Sequence, residues 1–242
     1  MKEEAPVALK YDRILLKLSG EIFGGQAGIG FDYPAINGLA EQVAEVTRMG
    51  VQLGLVVGGG NIYRGASSAP EGMDRVAGDH MGMLGTVINA ICMQDALERQ
   101  GVETRVMTAI EMRAIAEPYI KRRADRHLKM GRVVIFAAGT GNPYFTTDTA
   151  AALRASEMGA QVLIKATKVD GVYDKDPMKH SDAVRFDQLT YNEVLNKDLK
   201  VMDATAVAFC KDNRIPIMVL DIAKKEGLPA AVRGQPVGTI VS

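Results

Sequence analysis

An apolar, β-branched run, Arg132-Val-Val-Ile-Phe-Ala-Ala138, stops abruptly at Gly139-Thr140-Gly141-Asn142-Pro143-Tyr144-Phe145-Thr146-Thr147-Asp148-Thr149. The chain then resumes as helix-forming residues 150–158, closed by Gly159. The first run reads as a buried strand, so the order is strand, polar glycine-rich loop, helix. In an open α/β sheet, ligands bind at that kind of junction, outside the carboxyl end of a strand. Free amides at the helix start, with the helix dipole behind them, favour an anion. An ordinary turn needs the glycines, Asn142 and Pro143. It does not need Thr146, Thr147, Asp148 and Thr149 in succession, so the segment is read as a ligand loop.

The same alternation recurs along the chain. Arg13-Ile-Leu-Leu-Lys17-Leu18 is a strand that delivers Lys17 to the turn Ser19-Gly20. A buried ammonium is costly unless it meets an anion, whereas an edge-strand lysine can reach water; the segment alone fits both. A flexible loop at 24–30 precedes a helix with Asp32 as cap, Pro34 in its first turn and Gly50 at its end. Its inner face is Ile36, Leu39, Val43 and Val46. Strand 51–57 runs into Gly58-Gly59-Gly60-Asn61, with Arg64 just beyond, and completes a right-handed βαβ unit. This turn is neither usual phosphate fingerprint: GxxxxGK[ST] is absent, and Tyr63 occupies the third glycine position of GxGxxG. Arg64 is a planar fork suited to phosphate oxygens.

Residues 65–78 are expected to form a mobile loop, and a long helix to run from about Asp79 to Gln100. Met81, Leu84, Ile88, Ile91 and Met93 on it suit core or subunit contacts, and His80, without a second histidine or nucleophile in reach, is structural. A strand is expected at 102–108, and residues 110–129 are helical in part, broken at Pro118. Their basic run from Lys121 to His127 reads as a solvated face. Strand 161–165 again ends in a lysine, Lys165, and the Asp-Gly and Asp-Pro steps of 166–177 mark loops. Helices at 192–200 and 204–213 and strands at 215–220 and 238–241 complete the pattern.

These alternating elements predict an α/β fold: a three-layer αβα sandwich with a mainly parallel central sheet. The 242 residues suffice for such a core, and with no linker in the sequence they read as a single domain of two lobes, about 1–150 and 151–242. Lys plus Arg and Asp plus Glu are both 29, a balance that argues against a general nucleic-acid surface but leaves room for a local anion pocket. Cys92 and Cys210 lie in apolar helical patterns, as buried thiols do, and no Cys or His spacing suggests a metal site. No signal-peptide core or membrane-length apolar run occurs, so the expected location is cytoplasmic.

In a parallel sheet Lys17, the Gly58–Asn61 turn with Arg64, the central loop and Lys165 all fall on one edge. Two lysines, an arginine and glycine amides make a site for more than one phosphate. Phosphoryl transfer needs mainly positioning and charge neutralisation, and a carboxylate such as Asp203 would hold the lysines in place and charged.

Four stretches carry a resemblance: Lys17-Leu-Ser-Gly20; Gly58-Gly-Gly-Asn61 with Arg64; Gly139-Thr-Gly-Asn-Pro-Tyr-Phe-Thr-Thr-Asp148; and Lys165-Ala-Thr-Lys-Val-Asp-Gly-Val-Tyr173-Asp-Lys-Asp-Pro177. In order and spacing the chain resembles the bacterial uridylate kinases, a branch of the amino-acid kinase family. The first two stretches are shared across the wider family, and the last two belong to the uridylate branch. The resemblance implies transfer of a phosphoryl group from ATP, carried with Mg2+, to UMP. It implies catalytic roles for Lys17, Arg64, Lys165 and Asp203. ATP contacts would come from Lys17, Leu18, Ser19, Gly20, Gly60, Arg64, Thr167, Tyr173 and Asp176. UMP contacts would come from Gly59, Asp79, Thr140, Gly141, Asn142, Pro143, Tyr144, Phe145, Thr146 and Thr147. The N-terminal lobe would take UMP and the C-terminal lobe ATP. GTP activation would involve Gly25, Gln26, Ala27, Gly28, Ile29 and Gly30, with UTP as inhibitor and a homohexamer as the assembly; neither nucleic acid nor membrane is implied. A family member acting on a carboxylate or carbamate, and a non-catalytic nucleotide-binding protein of the same fold, are the alternatives.

Overall fold

The computed structural model describes residues 9–63 and 72–242. Arg64, residues 65–71 of the loop expected at 65–78, and the first eight residues of the N-terminal tail lie outside the described residues. In chain order the elements are β1 (Arg13–Leu18), α1 (Gly20–Phe23), α2 (Tyr33–Arg48), β2 (Gln52–Val57), α3 (Arg75–Arg99), β3 (Thr104–Thr108) and β4 (Glu117–Pro118). There follow α4 (Lys121–Lys129), β5 (Val133–Ala137), α5 (Thr147–Met158), β6 (Val162–Thr167), β7 (Val172–Tyr173), β8 (Arg185–Phe186), β9 (Gln188–Leu189) and α6 (Tyr191–Asn196). The last are α7 (Ala204–Asp212), β10 (Ile217–Asp221), α8 (Gly227–Val232) and β11 (Thr239–Val241).

Among the described residues the main sheet has nine strands in the order β4-β3-β5-β2-β1-β6-β10-β11-β9. The pairings are parallel except β10 with β11, and β7 with β8 forms a separate antiparallel pair. The expected mainly parallel sheet is the one observed. Helices cover both faces, so apart from Lys17 and Lys165 the central strands are apolar in runs rather than alternating. Along β1, Ile14, Leu16 and Leu18 join the core under α2, α3 and α8. Leu15 points the other way, into the core under α5 and α7. Lys17 shares the parity of Leu15, and Lys165 that of Leu163, so both lysines leave the sheet on the α5 and α7 side. They are also register partners on adjacent strands. The pairing of β1 with β6 therefore sets them side by side.

Helix boundaries follow side-chain caps. The Asp32 carboxylate accepts from the Ala35 amide at 3.1 Å and starts α2, as expected. The long helix begins at Arg75 rather than near Asp79, because Asp74 caps it through the Ala77 amide. Residues 75–78, expected as loop, are its first turn. Likewise α5 begins at Thr147 rather than 150: the Thr146 hydroxyl accepts from the amides of Asp148 (3.0 Å) and Thr149 (3.2 Å). Gly159, in the left-handed conformation, closes it as the sequence suggested. Helix α6 ends at Asn196, short of the expected 200, and α8 had no expectation at all.

Candidate active site

Lys17 and Lys165 share one carboxylate. The Lys17 ammonium lies 2.7 Å from Asp148 Oδ1, an ion pair without hydrogen-bond alignment. Lys165 Nζ donates to Asp148 Oδ2 at 2.9 Å and to the Val201 carbonyl at 2.5 Å. Asp148 sits in the first turn of α5, where the helix dipole also favours negative charge. Burial works to raise its pKa, but the two ammoniums more than offset this, so the carboxyl stays below its usual range. Burial pulls the Lys165 pKa down, opposed by Asp148 and reinforced by Lys17. The cluster carries one net positive charge at the carboxyl edge of the sheet.

The sequence reading gave the role of holding both lysines to Asp203. The structure gives the direct contacts to Asp148, and Asp203 acts one layer further out. Asp203 caps α7 through the Ala206 amide at 2.9 Å and accepts from Thr149 Oγ1 at 3.1 and 3.2 Å and from the Thr146 hydroxyl. It thereby fixes the start of α5, and with it Asp148. The Thr146 cap makes Asp148, expected in the loop, a first-turn helical residue that reaches both lysines, while the Asp203 carboxylate also favours the charged form of Lys165.

Beside the lysines, Ser19 and Gly20 follow β1 and meet the turn after β2. A Cβ on Gly20 would fall 2.4 Å from the Gly60 nitrogen, and one on Gly59 would fall 2.6 Å from the Gly82 carbonyl oxygen. Backbone meets backbone at both points, which only glycine permits. Asn61 and Asn89 exchange amide hydrogen bonds, at 3.1 and 2.6 Å, in a buried pair. Asn89 Nδ2 also donates to the Gly58 carbonyl (2.6 Å), and Asn61 Nδ2 to that of Gly30 (2.8 Å). Leu18 is fully buried, so any contact it makes with a phosphate is through its backbone.

A cavity of about 160 Å³ is lined by Gly59, Gly60, Tyr63, Asp79, Thr140, Phe145, Thr146 and Thr147, among others. It brings together much of the predicted acceptor set. Gly141, Asn142, Pro143 and Tyr144 shape the loop instead of lining this cavity. The Asn142 amide donates to Thr140 Oγ1 at 3.2 Å, and the Tyr144 amide to Asp79 Oδ2 at 2.7 Å. Tyr144 is left-handed (φ 71°) and its ring lies beside the Arg75 guanidinium, which also bonds Asp79. Ala138, where the loop leaves β5, is left-handed too (φ 61°), and its amide donates to Thr86 Oγ1 at 2.8 Å. Asp148, Thr86 and Tyr63 were not among the expected site residues; among them only Asp148 had a signal, as the acid in the second position of a threonine-rich helix start.

A second cavity, about 380 Å³, is lined by Tyr173, Asp176, Pro177, Lys197, Leu199 and Lys200, among others. Tyr173 and Asp176 both lie on its wall. Thr167 does not join them: its hydroxyl donates to the Val169 carbonyl at 2.6 Å, and it borders a different cavity with Gly25, Gln42 and Lys168. In the segment 25–30, the Gly28 amide donates to the Gly24 carbonyl and the Gly30 amide to that of Asn61. Among the described residues, no three His, Cys, Asp or Glu side chains stand close enough to hold a metal, and no helix is long and apolar enough to cross a membrane. Burial pushes the Cys210 thiol up to about 12, with Asp203 adding to the effect, which suits a buried thiol.

Comparison with known proteins places this geometry in context. The family model described as "Amino acid kinase family" matches residues 12–221. A UMP kinase structure from Bacillus anthracis is 36% identical, with a TM-score of 0.93, covering 96% of each chain. A UMP kinase structure from Ureaplasma parvum is also 36% identical, with a TM-score of 0.89, covering 97% of this chain and 100% of the other. A uridylate kinase structure from Archaeoglobus fulgidus is 28% identical, with a TM-score of 0.74, covering 95% and 99%.

Proposed function

The chain belongs to the amino acid kinase family, and from that premise we propose that it is a UMP kinase, transferring the γ-phosphoryl group of ATP to UMP to give UDP and ADP. The observation that carries the reaction type is the Lys17–Asp148–Lys165 cluster. Asp148 is adjacent to Thr147, which lines the smaller cavity, and the Val201 carbonyl bonded by Lys165 follows Lys200, which lines the larger one. These links support the reading in which the two lysines neutralise a phosphoryl group passing from one nucleotide to the other. Each such donor contributes about 3–4 kcal/mol to a transition state whose charge spreads over the transferred oxygens. Asp148 keeps the ammoniums placed and protonated, and the glycine turns let the backbone approach phosphate closely. Uridine is assigned by similarity to the two UMP kinase structures, over almost the full length of all three chains.

The finer features belong to the same proposal. UMP occupies the cavity at Asp79 and Thr140 through Thr147, in the N-terminal lobe, and ATP the one at Tyr173 and Asp176, in the C-terminal lobe. Magnesium enters on ATP: Asp148 is engaged by lysines and Asp203 by hydroxyls, which leaves the metal to the phosphates. Arg64 takes a phosphate role by its place after the glycine turn. The enzyme works in the cytoplasm as a homohexamer, activated by GTP through residues 25–30 and inhibited by UTP. Support for assembly comes from α3, whose Met81, Leu84, Ile88 and Ile91 are each 40–47% exposed on one face.

The test is a coupled assay of ADP formation with UMP, CMP and a panel of small carboxylic acids. UMP should be the preferred acceptor; turnover of an acid without UMP activity would move the chain to another branch of the family. Lys17→Ala should keep nucleotide binding while UDP formation drops by roughly 10²–10³-fold. Near-normal turnover in that variant would remove Lys17 from the chemistry.

A further inference from the structure

Helix α3 clamps the acceptor loop at two points, and only one of them is a residue expected to meet substrate. Asp79 and Thr86 are seven residues apart, so they lie on the same face, two turns from each other. Asp79 accepts from the Tyr144 amide, and Thr86 from the Ala138 amide. Both donating residues, Tyr144 and Ala138, are non-glycine and left-handed, at φ 71° and 61°. A side chain other than glycine disfavours that conformation, and it persists where the surroundings hold it. The loop 139–143 hangs between these two anchors.

We propose that Thr86 is a positioning residue for the acceptor nucleotide: its hydroxyl holds the Ala138 amide and so fixes where the loop departs from β5. The geometry is specific. Thr86 is 2% exposed, and its hydroxyl donates to the Met83 carbonyl at 2.7 Å, which leaves the oxygen lone pairs directed at Ala138. Ala138 is fully buried, and its own carbonyl accepts from the Gly141 amide at 2.9 Å. A single hydroxyl therefore controls an amide whose residue also closes the first turn of the loop. The same helix segment abuts the phosphate turn: a Cβ on Gly59 would lie 3.0 Å from the Thr86 nitrogen. Thr86 thus ties the acceptor loop and the glycine turn to one rigid helix. Thr86 also borders the acceptor cavity, but its proposed effect on substrate runs through Ala138 and the position of the loop, which hydrogen exchange follows directly.

This inference rests on the UMP kinase reading, and its test separates the two. Thr86→Val keeps the shape and removes the hydroxyl; Thr86→Ser restores it. We expect the valine variant to raise KM for UMP about tenfold, the equivalent of ~1.4 kcal/mol, with KM for ATP changed less than twofold. The serine variant should return KM for UMP to within about twofold of the parent. If the valine variant does not fold, Thr86→Ala carries the same expectation. Hydrogen exchange supplies a readout independent of activity: the amides of 138–144 should exchange faster in the valine variant, while those of β1 and β6 do not. Equal effects on both KM values, an unchanged KM for UMP, or unchanged exchange at 138–144 would each overturn the proposal. A parent enzyme inactive on UMP would instead overturn the functional reading and leave the exchange prediction standing.

Discussion

At the scale of single residues, the chemistry depends on one carboxylate between two ammoniums. Because burial and Lys17 lower the Lys165 pKa, this lysine releases its proton below 10.5, its ordinary value. The charged form is the one that neutralises a transferring phosphate. Activity should therefore fall on the alkaline side through a limb lying below 10.5, visible in kcat/KM against pH. Asp148 raises that pKa, so Asp148→Asn should move the limb to lower pH and reduce kcat by roughly 10²-fold at neutral pH. A limb unmoved by the substitution would take Asp148 out of the role. The acid side has the opposite sign. The folded pKa of Asp148 is depressed, so its contribution to stability is present above the unfolded value of about 4 and is lost as pH falls through the folded one.

At the scale of elements, packing turns helices and turns into parts of the site. The seam between α3 and the turn after β2 is closed by glycines on both sides. Gly85 lies on α3, where a Cβ would come within 3.3–3.4 Å of Gly59 atoms. On Gly59 a Cβ would collide with the Gly82 carbonyl at 2.6 Å, with only backbone to yield. Gly59→Ala should therefore cost about 1–3 kcal/mol, read as a lowered midpoint in urea, and should weaken both nucleotides together. Loss of UMP affinity alone would mean that the seam does not couple the two. Much of this was legible beforehand: the glycine triplet, the strand before it and the caps at Asp32 and Gly159 are local signals. The start of α3 at Arg75 was not, because Gly78 is a weak helix former at the end of a stretch that reads as loop. Gly82 and Gly85 meet the Gly59 turn at close backbone contact, and a sequence does not display that approach.

At the scale of the whole molecule, α3 presents two faces with different tasks: Asp79 and Thr86 toward the acceptor loop, and Met81, Leu84, Ile88 and Ile91 outward. If the outer face joins subunits, Ile88→Glu should shift light scattering to a smaller species without unfolding the chain, since Ile88 is 45% exposed. An unchanged mass would place the contact elsewhere. By itself the sequence determined the layered, mainly parallel fold, the edge on which the polar strand ends gather, and Lys17 and Lys165 as the charges there. Those follow from residue spacing and from the rule that ligands gather at strand ends, both local or topological. Tertiary structure alone decided which carboxylate contacts the lysines directly, Asp148 with Asp203 behind it, and which side chains hold the strained acceptor loop. Such choices depend on strand register and helix-cap geometry, in which a shift of one residue turns a side chain to the opposite face.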